Sequence, residues 1–449
     1  MVKACQLALV VLTLRLSPAL WAQAPSEIER RVAELEEKMR LIDPAFGKGT
    51  RAQDLLSRLD QLEGKLAGVL AAKEPAPAPL TAALTPVSVA GDYQVSPAGE
   101  TRLPVAGYMD FHMNKESGDS FLPDFHRFVL LFGHSFSDRI KFWSELEIEH
   151  ALVEGGAETG EVAVEQAYLD FFVKPYFNLR AGMLLTPMGI VNERHEPPAF
   201  NGVERPFVET LIIPTTWREL GFGITGDLGK GFRYRTYLTS SLDASRFNAE
   251  GGISEGKTSG FDASFRNPAK VGRLEFAGVP RLTLGTSFYS GHAGFRTPGI
   301  NPGVNIAEFD GRYSFRRFDF RGLFANTWVS RTGELNRRVQ LQTGVNPNVA
   351  SEMRGYYLEP AMHVLPRKMR TYLGSDLIAF ARYERFNTQQ SMAHGYVPLP
   401  QFNRSSWVTG LTFKPNADVA IKFDYDFNRN RSSVVRVPNG INLGVGWWF

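Results

Sequence analysis

From Val105 to Phe449 the chain keeps a hydrophobic period of two. Ile140, Phe142, Leu146 and Ile148 alternate with Lys141, Trp143, Glu145, Glu147 and Glu149. Val419, Ile421, Phe423, Tyr425 and Phe427 alternate with Lys422, Asp424 and Asp426. Ile441, Leu443, Val445, Trp447 and Phe449 alternate with Asn442, Gly444 and Gly446. Successive side chains of a strand point to opposite faces, so each run has one apolar and one polar face. Each run also approaches the ten or so residues that a tilted strand needs to cross a bilayer. Past the first two dozen residues there is no run of 18 apolar residues, so any membrane insertion must be by strands.

The connections divide into two kinds. Short links fall at Ser137-Asp138, Lys174–Tyr176, Asp227–Gly231, Val279-Pro280, Arg316-Arg317 and Pro415–Asp418. Long polar ones fall at 114–124, 150–161, 186–217, 241–260, 291–304, 329–352, 388–404 and 429–438. Short turns alternating with long loops are what a barrel presents when one rim faces the periplasm and the other faces outside. With a further turn at 366–375 the reading is an all-β transmembrane chain: an antiparallel outer-membrane β-barrel of about 16 strands, both ends periplasmic. A soluble sandwich or β-helix would not need strands so long or loops so unequal. Aromatics at strand ends, such as Trp407, Trp447 and Trp448, suit interfacial girdles.

The segment before the barrel differs in kind. Residues 1–24 combine Lys3, the apolar core Leu7–Leu14 and the small residues of Ala19–Ala24, the pattern of a secretory signal peptide. Residues 25–72 carry a short α-helical coiled coil: Ile28, Val32, Leu35, Met39 and Ile42, then Leu55, Leu59, Leu62, Leu66 and Val69 recur at heptad spacing. Two such short pieces need a partner, either another chain or each other. Residues 73–104, with Pro75, Pro77, Pro79, Pro86 and Pro97, read as an extended Pro/Ala-rich linker. The barrel domain is then 105–449. The only cysteine, Cys5, would leave with the signal, so thiol chemistry drops out. A net charge of +3 with scattered Lys and Arg gives no case for nucleic acid.

Sixteen strands enclose room for water, whereas eight would be filled by side chains. The polar strand faces supply candidate pore-lining groups: Lys141, Glu145, Glu147, Glu149, Arg180, Arg233, Arg235, Arg273, Glu275, Glu308, Asp310, Arg312, Arg382 and Glu384. Charges of both signs would set ion preference, pair with one another, or do both. The row Glu145, Glu147, Glu149 would hold a divalent cation with loop oxygens or pair with arginines such as Arg127 and Arg180. The longest connection, 186–217, is rich in proline and aromatics, which favours an ordered path. Folded inward it would form the constriction, with Arg194, His195, Arg205 and Arg218 among the residues meeting solute. The alternative is an outward loop packing on a neighbouring subunit.

Leu179-Arg-Ala-Gly-Met-Leu-Leu-Thr-Pro-Met-Gly189, Asn192-Glu-Arg-His-Glu-Pro-Pro198, Val203-Glu-Arg-Pro-Phe-Val208 and Ile213-Pro-Thr-Thr-Trp-Arg-Glu219 resemble the phosphate-selective porin O/P family. Phe380-Ala-Arg-Tyr-Glu384 and Lys422-Phe-Asp-Tyr425 are similar to that family's late strands. The resemblance covers roughly 105–449. It implies a homotrimeric diffusion channel in a Gram-negative outer membrane, passing small ions or solutes and often favouring anions, with the N-terminal segment in the periplasm. The loop carries more acidic than basic residues, which departs from a phosphate-selective pattern. Phe449, ending an alternating strand, resembles the signal by which the barrel-assembly machinery takes up such chains for insertion into outer-membrane lipid. The eight histidines are dispersed, and no nucleophile motif, phosphate loop or zinc spacing stands out, so neither an enzyme nor a cofactor or metal site is expected. A structural tether acting through residues 25–104, or a barrel-type enzyme, are the competing readings.

Overall fold

The computed structural model describes residues 105–150, 160–261, 264–294, 296 and 299–449. The expected signal peptide, coiled coil and linker lie outside the described residues. Strands run in chain order: β1 (Val105–Glu116), β2 (Leu122–Ser137), β3 (Ile140–Glu149), β4 (Glu161–Lys174), β5 (Phe177–Leu185) and β6 (Arg218–Gly229). Next come β7 (Phe232–Thr239), β8 (Ala269–Val279), β9 (Leu282–His292), β10 (Gly303–Phe315) and β11 (Phe318–Val329). Then follow β12 (Glu352–His363), β13 (Asp376–Ser391), β14 (Asn403–Lys414), β15 (Val419–Asn430) and β16 (Gly440–Trp448). Every neighbour in sequence is a neighbour in the sheet, and β1 pairs β16 antiparallel from Tyr108↔Trp448 to Glu116↔Gly440. Just beyond that ladder the Gly107 amide donates to the Phe449 carbonyl at 3.0 Å, and the Phe449 amide returns a bond at 2.9 Å. The 16-stranded sheet therefore closes with no free edge, the condition for a strand structure in lipid.

The short turns follow local chemistry. At Lys230-Gly231 both residues have positive φ (53° and 84°), as a two-residue type I′ hairpin requires. The connection at 366–375 is no tight turn: it holds a seven-residue helix, α2 (Arg367–Leu373), while the longer α1 (Thr332–Thr343) sits in the β11–β12 loop. Phe222, Phe288, Phe309, Leu411 and Phe423 stay exposed on the outside of the wall. Tyr356, Tyr383 and Trp407 form a row across β12–β14 on the long-loop side, with ring centroids 6.3 and 4.9 Å apart. Near the short turns, Phe232–Phe276, Tyr313–Phe315 and Phe318–Phe320 form a second belt. Two aromatic belts bounding an apolar band match a bilayer's interfaces.

The inward face is not polar throughout, contrary to the sequence-based expectation. On β8–β12 the positions nearest the long loops are apolar: Val271, Tyr289, Ile306, Ala325 and Met353 are all buried. They pack with loop residues Met188, Ile212, Trp217, Leu242, Phe247 and Ile253, and with Leu335 and Val339 of α1. One step deeper the inward faces of β8, β10, β12 and β13 carry charge: Arg273, Glu308, Asp310, Glu359, Arg382 and Glu384. An apolar collar thus sits above a charged belt. Apolar residues on both faces of β13 have a similar cause, since Ile378 and Phe380 form a small buried cluster with Ala361 and Val408.

Candidate functional site

Loop 186–217 leaves β5 and returns to β6, and its base is closed by one amide. Asn192 Nδ2 donates to the carbonyls of Thr186 (2.7 Å) and Trp217 (3.1 Å), and its Oδ1 accepts from the Trp217 amide (2.8 Å). The loop tip is held by Glu209, whose carboxylate accepts the amides of Ile190 (2.7 Å) and Val191 (2.8 Å) and the Tyr357 hydroxyl (2.6 Å). Burial pushes the Glu209 carboxyl up, and these donors only partly offset it.

From that base the loop reaches strands on the opposite arc of the ring. Thr327 on β11 donates to the Ile212 carbonyl (3.0 Å), and Thr412 on β14 to that of Asn201 (2.6 Å). Lys414 and Lys422, on β14 and β15, donate to the carbonyls of Pro198 and Gly202, each at 2.7 Å. Asp424 accepts the Val203 amide at 2.6 Å and Glu384 the Val208 amide at 3.1 Å. In a closed barrel, β14 and β15 lie across from β5 and β6. The loop therefore crosses the interior, which settles its direction as inward. Gly446 on β16 allows the close approach, because a side chain there would collide with Pro197.

On the β1–β4 side the contacts are histidine–carboxylate pairs. His195 Nε2 lies 3.1 Å from Glu165 and 3.7 Å from Glu145. Burial alone would depress this imidazole, but Glu165 and then Glu145 outweigh it and hold it above its ordinary value. Glu204 accepts from Asn114 (2.8 Å) and faces His112 Nδ1 (3.1 Å). Burial would raise this carboxyl, but His112 and Asn114 hold it well below the usual carboxylate range.

The sequence-derived candidates separate into groups. Glu145, Glu147, Arg218 and Arg382 are buried, as is His195. Glu147 meets Arg127 at 3.6 Å, as the pairing reading held, but Arg180 does not join the acidic row: it is bidentate to Asp170 at 2.7 and 2.8 Å. Arg205 turns back to Thr215 (2.6 Å) and Thr216 of its own loop. Lys141 and Arg233 sit by the short turns, where Lys141 lies over the Phe172 ring at 5.6 Å and Arg233 pairs with Asp227 at 3.8 Å. Glu149 faces His126 at 3.3 Å. Arg382 bridges Glu359 (3.2 Å) and Glu384 (2.6 Å), and Arg273 bridges Glu308 (3.3 Å) and Asp310 (2.6 Å).

Inside the barrel, a partly exposed group lies between the loop and the β7–β11 wall. Arg235 and Arg312 keep roughly a quarter of their side chains exposed and Arg321 about a sixth. Arg235 meets Glu193 of the loop at 3.0 Å, and Arg312 meets Glu275 at 3.5 Å. Arg194 joins them: burial, then repulsion from Arg312, lowers its hold on its proton. Arg321 was absent from the sequence-derived set. Its alternation with Phe320 and Gly322 places it on the polar face, so the signal was there.

No family model matches the chain. Among solved structures it is similar to Salmonella typhi OmpF in complex with daunomycin, with TM-score 0.51 and 11% identity over 77% of this chain and 97% of the other. It is also similar to the outer membrane channel DcaP of Acinetobacter baumannii, with TM-score 0.49 and 10% identity over 77% and 96% of the two chains. At such identity the likeness to OmpF is one of fold: a porin-like barrel. In sequence the chain is 38% identical over 334 residues to an uncharacterized protein of Aquifex aeolicus (strain VF5), covering 72% of this chain and 74% of that one. At that identity and coverage, this chain belongs to the same protein family as the Aquifex aeolicus protein.

Proposed function

We propose that the chain is an outer-membrane porin-like channel for small hydrophilic solutes or ions, with loop 186–217 as its constriction and a preference for anions. The observation that carries this reading is the inversion of the barrel: an apolar band with aromatic belts outside, and a charged belt with a crossing loop inside. A soluble fold would bury that apolar band. The exposed part of the interior argues for the sign. Below the apolar collar, Arg235, Arg312 and Arg321 keep exposure beside the loop, with Arg194 among them. Solute in the interior then meets guanidinium groups that attract anions. A homotrimer, a periplasmic N-terminal segment and recognition of Phe449 by the assembly machinery belong to the same reading and rest on the family resemblance. Phe449 stacks on Phe128 at 5.9 Å beside the β1–β16 seam.

Planar-bilayer recording in a salt gradient tests it. The wild-type reversal potential should favour anions, and Arg235→Glu with Arg312→Glu should move it toward cations. A folded, inserted protein with no conductance would sink the channel reading; a cation-favouring wild type would sink the sign alone.

A further inference from the structure

Three histidines (His112, His126 and His150) and two carboxylates (Asp124 and Glu149) gather at the long-loop end of β1–β3, more than the pairing of His112 with Glu204 uses. Their convergence depends on an irregularity. Between Asp110 and His112 the β1–β2 register shifts, pairing Asp110 with Arg127 but His112 with Asp124. Strict alternation from Arg127 would turn His126 to the outside. The bulge re-aims it, and its ring lies 4.5 Å from that of His112.

We propose that His112 Nε2, Asp124 Oδ2 and His126 Nδ1 form a binding site for a divalent cation of the zinc class. One ligand atom from each of these residues lies within 4.8 Å of the other two. His112 Nε2 is 3.3 Å and His126 Nδ1 3.4 Å from the same Asp124 oxygen. These separations are long for hydrogen bonds involving a carboxylate. They match the edge of a tetrahedron with metal bonds of about 2.0–2.1 Å, which is roughly 3.3–3.4 Å.

The groups behind the ligands point the same way. A metal-bound imidazole generally needs a carboxylate or carbonyl at its other nitrogen to fix tautomer and orientation. His112 Nδ1 faces Glu204 Oε1 at 3.1 Å, and His126 Nε2 faces Glu149 Oε1 at 3.3 Å. The second oxygen of Asp124 is engaged by His150 Nδ1 at 2.9 Å. A separate residue thus stands within 3.3 Å behind each of the three ligands, and His112 Nδ1, buried and without a hydrogen bond of its own, is free to align with Glu204. Two imidazole nitrogens with one carboxylate suit zinc, copper, nickel or cobalt, whereas magnesium and calcium prefer all-oxygen shells. His112 is buried while Asp124 is about one-third exposed, so an ion has access from one side and a fourth position stays open. Because Glu204 belongs to the crossing loop, a bound ion would also fasten that loop to β1 and β2.

The test is titration of untagged full-length protein in detergent with Co²⁺, followed by its visible absorption, with Zn²⁺ as competitor. One Co²⁺ should bind per chain, be displaced by Zn²⁺ and ignore excess Mg²⁺. His112→Gln with His126→Gln should weaken binding at least about 100-fold, and Glu204→Gln about 10- to 100-fold. His134→Gln should change nothing. Absence of stoichiometric binding, or equal binding by a double variant that still migrates as a folded barrel, would overturn the proposal. Should the double variant not fold, the wild-type Cu²⁺ resonance decides: coupling to two imidazole nitrogens supports the site, and to none refutes it.

Discussion

The two sides of loop 186–217 are held by different chemistry. On the β11–β15 arc, most contacts meet the loop backbone: Thr327, Thr412, Lys414 and Lys422 donate to carbonyls, and Glu384 and Asp424 accept amides, while Tyr357 and Glu359 meet the side chains of Glu209 and Asn201. On the β1–β4 arc, side chain meets side chain, and histidine carries the contact: His195 with Glu165, and His112 with Glu204. A carbonyl does not titrate near neutrality, but an imidazole does. The loop is thus held mainly through its backbone on one side and mainly through histidine–carboxylate pairs on the other. Removing a group from each side tests whether that division is real.

The largest effect should come from Arg382, which stands behind the first anchor. Its guanidinium, almost wholly buried, neutralises Glu359 and Glu384, and those carboxylates in turn hold Asn201 (2.8 Å) and the Val208 amide (3.1 Å). Arg382→Ala leaves the buried Glu384 without its counter-ion and Glu359 with Arg321 alone (3.3 Å), which should cost about 3–5 kcal/mol in urea unfolding in detergent. Replacing all three (Arg382→Met, Glu359→Gln, Glu384→Gln) should recover most of that loss. If the single variant is as stable as wild type, the ion triad does not support the loop.

A smaller loss is expected where only one hydrogen bond goes. Tyr357→Phe removes the hydroxyl that reaches Glu209 and leaves a buried carboxylate oxygen unpaired, a cost of about 1–3 kcal/mol. Protease cleavage within 186–217 should rise in step, because Glu209 also pins the Ile190 and Val191 amides. Unchanged protection would place the loop's order in the apolar collar instead.

The barrel was legible in the sequence because lipid and lumen impose opposite demands on alternate residues, as at Ile421 and Lys422. The inward path of the loop was half legible: its prolines and aromatics indicated order, but its direction depends on partners 148 and 221 residues away, Tyr357 on Glu209 and Asp424 on Val203. The collar was not legible. Val271 and Tyr289 face inward yet look like lipid-facing residues, because a packed loop and a lipid tail select the same side chains. The histidine cluster was hidden for a further reason. Its members sit at 112, 124–126 and 149–150 on three strands, and the bulge breaks the alternation that would have assigned His126 a face.

The least costly change should be the most diagnostic of the β1–β4 anchor. His195→Gln keeps a donor for Glu165, so at neutral pH the loss should stay within about 1 kcal/mol. What should vanish is a pH dependence. The imidazole of His195 titrates above its ordinary value because Glu165 and Glu145 outweigh burial and Arg205. A group whose folded pKa is raised contributes its full stabilisation below its unfolded value of about 6.5, and loses it as pH rises through the folded value. Wild-type stability should therefore fall across that alkaline-going window, while His195→Gln follows a flatter curve through it. Parallel curves would mean that His195 is neutral in the folded chain, and that its contact with Glu165 is an uncharged hydrogen bond.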